Sequence, residues 1–167
     1  MTISKDLAAW DGKSAADMGD IYDRYCREPS FVSEIIELTK QQPLQSGTTW
    51  LLKRHMENTG VLDAAAINEV CQLLPKLVHW EAKLHVLQCL PSMPIPEVHK
   101  TGVETFLRKC LEDDAKFVRA WAYNGFYELA VQYPEYQDEA SRLLDDALGH
   151  EPASVQARIR KVLKKGF

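Results

Sequence analysis

The sequence lacks any apolar run that approaches the roughly 20 residues a helix needs to cross a bilayer. Its first residues, MTISKDLAAWDGK, also lack the apolar core of a secretory signal. We therefore expect a cytoplasmic protein without a membrane partner.

Cysteine is sparse and forms no C-x-x-C pair: the four residues are Cys26, Cys71, Cys89 and Cys110. We expect reduced, mostly buried thiols rather than a disulfide framework. The glycine motifs of phosphate-binding loops, of dinucleotide sites and of serine hydrolases are absent as well. The sequence therefore predicts no cofactor.

Catalytic groupings are equally scarce. Glu81, His85 and Cys89 recur at i, i+4 and i+8, a spacing that would suit a metal ion or a Cys/His pair but arises easily by chance and lacks a fourth ligand. The Asp-Asp pairs at 113–114 and 145–146 are adjacent rather than facing, so they suggest exposed acids or helix caps. We predict no catalytic and no metal-binding residue, and hence no enzyme.

Helical periodicity dominates what is present, and no stretch shows the alternation of a strand. Ser14, with Asp17 three residues on, and Asp63 are expected to cap helices. Residues 1–13 are expected to form a loose lead-in, and residues 14–167 a single domain. The nine predicted helices are 14–27, 30–41, 46–58, 63–77, 79–91, 97–112, 115–132, 136–149 and 153–165.

An internal repeat of 37 to 38 residues relates the later helices to one another. The clearest unit is 111–130, LEDDAKFVRAWAYNGFYELA, where one helix ends at an acidic turn and a very apolar one begins. The matching columns are Val70, Leu107, Leu144; Leu74, Leu111, Leu148; Trp80, Val118, Val155; Ala82, Ala120, Ala157; Leu84, Ala122, Ile159; and Leu87, Gly125, Val162. Each repeat therefore reads as one helical hairpin.

The spacing of Asp114, Val118, Arg119 and Ala122 resembles the Asp-x-x-x-Val-Arg-x-x-Ala pattern of HEAT repeats. Other units match it in part, and the resemblance to HEAT-like (armadillo/HEAT type) proteins covers about residues 63 to 165. It implies an α-α superhelix, a right-handed solenoid of about four hairpins plus a leading helix. The acids at 112–114 are expected to cap the second helix of the unit at 111–130.

The resemblance also implies a concave face lined by the second helices of the hairpins. The residues predicted to bind a partner there are Lys83, His85, Arg119, Trp121, Tyr123, Asn124, Arg158, Arg160 and Lys161. Their mixture of basic and aromatic groups suits an acidic peptide, a phosphorylated segment or a nucleic-acid backbone. The first hypothesis is a non-catalytic scaffold or adaptor that binds a protein.

Two alternatives remain open. Some HEAT-like proteins are DNA glycosylases for alkylated bases, and Trp121 with Arg119 and Arg158 imitates part of such a site. A net charge of −4 and a pI of about 5.7 disfavour nucleic acid, although residues 153–167 carry five cations and no acid. The second alternative is a homo-oligomer with a self-complementary apolar surface.

Overall fold

Every regular element in the computed structural model, which describes residues 2–167, is helical, and no strand occurs in that range. The all-α prediction is confirmed. In the same range, no helix is both long enough and apolar enough to cross a membrane. The ten α-helices are α1 (Ile3–Ala9), α2 (Ala15–Tyr25), α3 (Phe31–Thr39), α4 (Gln45–Thr59), α5 (Ala64–Leu73), α6 (Trp80–Cys89), α7 (Lys100–Leu111), α8 (Lys116–Gln132), α9 (Gln137–Ala147) and α10 (Ala153–Leu163).

Helix α1 corrects the prediction of a loose lead-in over residues 1–13. Ile3 and Leu7, one turn apart, are both buried. A Cβ placed on Gly47 of α4 would lie only 2.9 Å from Leu7 Cδ2, so the missing side chain at Gly47 allows α1 to pack closely. A helix of 7 residues is marginal in isolation, and these tertiary contacts therefore stabilise it.

Side chains at helix starts confirm two predicted caps and correct one. Ser14 Oγ accepts a hydrogen bond from the Asp17 N–H at 3.1 Å, and Asp63 Oδ1 accepts one from the Ala66 N–H at 2.8 Å. The acids at 112–114 do not cap α8, because its N-cap is Ala115, whose side chain makes no cap bond, and Asp113 Oδ1 accepts from the Ala115 N–H at 2.9 Å rather than from an N–H of the first turn. The cap positions of α2 and α5 were thus correctly predicted from sequence.

Asp63 offers a test of the α5 cap. Replacing it with alanine leaves an N–H of the first turn without its partner, so we expect Asp63→Ala to lower the free energy of unfolding by about 1 kcal/mol. Asp63→Ser restores an acceptor and should recover most of that loss. Urea denaturation of the two variants checks this, and an equal loss in both would contradict the capping role.

The chain divides into two compact units, one ending at Met93 and the other Pro94–Phe167. In the first, the N-terminal unit, α4 packs against α2, α3 and α6. Its fully buried side chains include Met18, Ile35, Leu51 and Leu87. The single domain expected over residues 14–167 stays a prediction.

The second, the C-terminal unit, is organised around α8. This helix of 17 residues packs against α7, α9 and α10, and ten of its residues are buried. One core cluster joins α8 to α9 and α10; its buried members are Ala120, Tyr123, Tyr127, Leu144, Ala147, Val155, Ile159 and Val162.

Burial revises the alignment of α6 with the later helices. Trp80 is 44% exposed, whereas Val118 and Val155, its predicted equivalents, are fully buried. Ala82 is fully buried and lies 36 residues before Val118. The buried positions of α6 therefore match those of α8 when the alignment is moved by two residues.

The four cysteines are free thiols, as predicted. Cys71, Cys89 and Cys110 are buried, and Cys26 is half-buried. Burial raises the pKa of Cys71 to about 11 and that of Cys89 to about 12, so both thiols stay protonated near neutral pH. Cys89 is therefore poorly suited to serve as a thiolate ligand beside Glu81 and His85.

Candidate functional site

Helix α8 has one exposed stripe beyond its first residue. Phe117 and Val131 at its two ends are 49% and 46% exposed, and Trp121 between them is half-buried. The intervals of four and ten residues place all three on one side of the helix. A stripe with two aromatic rings, a valine and the half-buried Glu128 thus remains on a helix that is otherwise largely covered.

Helix α10 places a row of cations beside this stripe. Arg158, Lys161 and Lys165 follow at intervals of three and four residues, so they share one side of the helix and its C-terminal extension. Arg158 is half-buried, and the two lysines are exposed. We call Phe117, Trp121, Arg158, Lys161 and Lys165 together the α8–α10 face.

Arg158 and Trp121 join the two halves of the face. The guanidinium carbon of Arg158 lies 4.1 Å from the centroid of the Trp121 ring. Such a cation–π contact contributes about 0.5–2 kcal/mol, more when water is excluded, and it holds the guanidinium in place. The face therefore presents an oriented cation on an aromatic platform.

Arg158 and Lys161 differ from three other arginines of the protein in that they bind no carboxylate in the part of the chain that the structure describes. Arg24, Arg108 and Arg119 each bind a carboxylate. Within residues 2–167, neither Arg158 nor Lys161 has a carboxylate partner. Their charge is therefore available to an external acid.

No protein-family model, curated protein or solved structure matches this chain. The function of the face therefore has to follow from its own chemistry.

Arg119, predicted as a binding residue, lies in an internal ion pair. Its Nε and Nη2 donate to the two oxygens of Glu151 at 3.0 and 3.1 Å, and its Nη1 donates to the carbonyl of Asp113 at 2.9 Å. The hydrogen bond to Glu151 raises the pKa of Arg119 further above its usual range. These contacts join the turn before α8 to the connection between α9 and α10, so they position the two helices.

Tyr123 belongs to the same network. Its hydroxyl donates to Glu151 Oε1 at 3.1 Å, and its side chain is buried. Burial, together with the nearby carboxylate, raises the pKa of Tyr123 to about 12, so the phenol stays protonated. We assign Tyr123 and Arg119 structural contacts, while any role in binding stays a prediction.

The remaining predicted residues of this unit fall in different surroundings. Asn124 is buried, and its Nδ2 has no hydrogen-bond partner within the described chain. Arg160 is exposed and donates to Gln156 Oε1 at 3.0 Å. It lies two positions after Arg158, which turns it about 200° around the helix and away from the α8–α10 face.

Lys83 and His85 belong to the N-terminal unit, where both are half-buried in α6. His85 Nδ1 lies 3.0 Å from Thr49 Oγ1. Burial, with a smaller effect of the Lys53 charge, lowers the pKa of His85 to about 4. The imidazole is therefore neutral near pH 7.

Two residues of the α8–α10 face, Phe117 and Lys165, and the buried Glu151 were absent from the sequence-based prediction. Phe117 precedes Trp121 by four residues, so helical spacing alone could have found it. Lys165 follows Lys161 by four residues and could have been found in the same way. Glu151 lies in a connection without periodicity, and no sequence signal indicates its burial.

Proposed function

We propose that the protein is a non-catalytic helical-repeat adaptor that binds an acidic segment of a partner protein on its α8–α10 face. The observation that carries this proposal is the stacked pair of Arg158 and Trp121 beside the unpaired Lys161. The cations would bind carboxylates or phosphorylated side chains, and the stripe on α8 would pack an aromatic or aliphatic residue between them.

The proposal includes a HEAT-like solenoid. It is supported by the way α8 is used: it pairs with α7 and packs along α10, the second helix of the next hairpin. Two contacts between these helices run in the same order: Arg158, in the middle of α10, contacts Trp121, and Lys165, just past the end of α10, contacts Tyr127 further along α8. Successive second helices are parallel in such repeats.

An acidic protein segment suits this face better than nucleic acid. The cations occupy one side of one helix, whereas the whole chain has a net charge of −4. A nucleic-acid site gains most of its affinity from many phosphate contacts, which requires a strongly basic domain. Exposed Phe117 and Val131 add apolar area that phosphates do not use.

Charge reversal tests the proposal. Wild-type protein on a column at low salt should retain a partner protein from lysate in stoichiometric amount, and Arg158→Glu/Lys161→Glu should reduce that retention at least about tenfold, because attraction becomes repulsion. The matched control is Lys109→Glu/Arg142→Glu, which changes the net charge equally on exposed positions of α7 and α9. It should retain the partner as the wild type does.

Labelled duplex and single-stranded DNA are tested in parallel over a range of salt concentrations. Steeply salt-dependent DNA binding that Arg158→Glu/Lys161→Glu abolishes would support the nucleic-acid alternative instead. Equal retention of the partner by both double variants would contradict binding at the α8–α10 face.

A further inference from the structure

A cleft of about 570 Å³ lies within the N-terminal unit and shares no residue with the α8–α10 face. The connection between α1 and α2 forms one wall, and the first turns of α4 and α6 form the others. Its size is in the range of small-molecule sites. The side chains that carry the argument are Trp10, Asp11, Trp50, Glu81 and His85.

His85 presents an acceptor in this cleft. The Thr49 hydroxyl donates its single hydrogen to the Gln45 carbonyl at 2.7 Å, so at 3.0 Å from His85 Nδ1 the same oxygen acts as acceptor. On this arrangement we assign the proton of the neutral ring to Nδ1, which leaves a lone pair on Nε2. No protein donor occupies that lone pair among residues 2–167.

Two carboxylates add negative charge. Glu81, half-buried in the first turn of α6, has no ion pair and no hydrogen bond among the described residues. Asp11 Oδ1 accepts from the N–H groups of Ser14 and Lys13 at 2.9 and 2.8 Å, and these bonds lower the pKa of Asp11, so it is charged near neutral pH. The exposed Lys13 is the one opposing permanent charge that lines the cleft.

Two indole rings complete the lining. The Trp10 Nε1–H donates to the Ser14 carbonyl at 2.9 Å, which fixes the ring against the wall. Trp50 is half-buried in α4. Indole faces attract cations, and with the two carboxylates and the imidazole lone pair they make the cleft rich in acceptors.

We propose that this cleft binds a primary ammonium group, with Glu81 and Asp11 as its counter-charges, His85 Nε2 as a hydrogen-bond acceptor, and the indoles of Trp10 and Trp50 against its carbon skeleton. A primary ammonium has three N–H donors, and the cleft supplies three kinds of acceptor for them. The ammonium is carried either by a free amine or by a lysine side chain.

Wild-type protein and three small probes test the charge preference directly. Benzylammonium, benzyl alcohol and benzoate have similar size but carry positive, zero and negative charge. Titrations followed by the NMR shifts of the indole N–H groups at pH 7.5 should give binding of benzylammonium on the order of tenfold tighter than benzyl alcohol, and no binding of benzoate. Equal binding of benzylammonium and benzyl alcohol, preferred binding of benzoate, or no binding of any probe would overturn the proposal.

Glu81→Gln is the variant that tests the site, because it keeps the shape of the side chain and removes its charge. We expect it to weaken benzylammonium binding on the order of tenfold and to leave benzyl alcohol unchanged. Glu34→Gln is the matched control, since Glu34 is also a first-turn carboxylate of the same unit but lies outside the cleft. Equal weakening by both variants would show a general charge effect and overturn the assignment of Glu81.

A second comparison identifies the source of the ammonium. N-acetyl-lysine amide, which represents a lysine within a chain, is titrated beside benzylammonium. Tighter binding of the lysine probe supports recognition of a protein lysine, and tighter binding of benzylammonium supports a free amine. In either case Glu81→Gln should weaken the better probe.

Discussion

Replacing Glu151 with alanine should lower the free energy of unfolding by about 3 kcal/mol. The change leaves the Arg119 guanidinium, whose side chain is 21% exposed, without its counter-charge and removes the acceptor of the Tyr123 hydroxyl. Removing one partner of a buried ion pair typically costs about 3–5 kcal/mol, and the partial exposure of Arg119 places the expected loss at the lower end. Urea denaturation followed by circular dichroism measures it.

Glu139→Ala is the matched control. Arg108 donates to the two Glu139 oxygens at 2.7 and 2.9 Å, so the geometry resembles the pair of Arg119 and Glu151. Both Arg108 and Glu139 are more than a third exposed, and water can solvate either partner alone. We therefore expect a loss of only about 0–1 kcal/mol. Equal losses in Glu151→Ala and Glu139→Ala would contradict a special role for the buried pair.

The Phe126→Ala variant should lose about 3–5 kcal/mol, the largest effect we expect from one core residue of α8. Phe126 is 1% exposed, and its ring meets the Tyr136 ring edge to face, with 6.0 Å between the ring centroids. Alanine leaves a cavity that the rigid helices around it cannot fill, so the loss of contacts adds to the loss of apolar burial. The free energy of unfolding in urea again gives the value.

Phe117 supplies the control on the same helix. Its side chain is 49% exposed, so Phe117→Ala should change the free energy of unfolding by less than about 1 kcal/mol. The same variant should weaken retention of the partner, because Phe117 belongs to the α8–α10 face. A large loss of stability in Phe117→Ala, or none in Phe126→Ala, would show that the burial described for α8 is wrong.

Most helices were predicted correctly, because helical periodicity and helix caps depend on residues that are close in sequence. Asp63 and Ser14 cap helices through bonds to residues three positions on, and such bonds are visible in sequence. Helix α1 was missed because a short helix becomes stable only through tertiary contact. The contact of Leu7 with Gly47 joins positions 40 residues apart, which no local pattern indicates.

The candidate site was predicted in part, since periodicity tells which residues share a side of a helix but not which side is covered. Trp121 and Tyr123 looked equivalent in sequence, yet Tyr123 is buried against α10 and Glu151, whereas Trp121 stays half-buried beside the Arg158 guanidinium. The sequence predicts Arg119 as a binding residue because nothing in it indicates the ion pair with Glu151, which lies 32 residues later.

The repeat alignment shows the same limit. A shift of 38 residues places one bulky apolar residue, Trp80, beside Val118, and sequence alone favours that match. The exposure of Trp80, which differs from the burial of Val118, favours a shift of 36 residues instead. At a shift of 36 residues, Glu81 and His85 align with Phe117 and Trp121. The cleft of the N-terminal unit and the α8–α10 face would then use equivalent helix positions.

The stacked guanidinium on Trp121 also has an optical consequence. Trp10, Trp50 and Trp80 lie in the N-terminal unit, and Trp121 is the one tryptophan of the C-terminal unit. With the other three indoles replaced by phenylalanine, the emission of the protein comes from a single ring whose surroundings are set by Arg158. The spectrum then follows the occupancy of the face and the unfolding of its own unit without any attached dye.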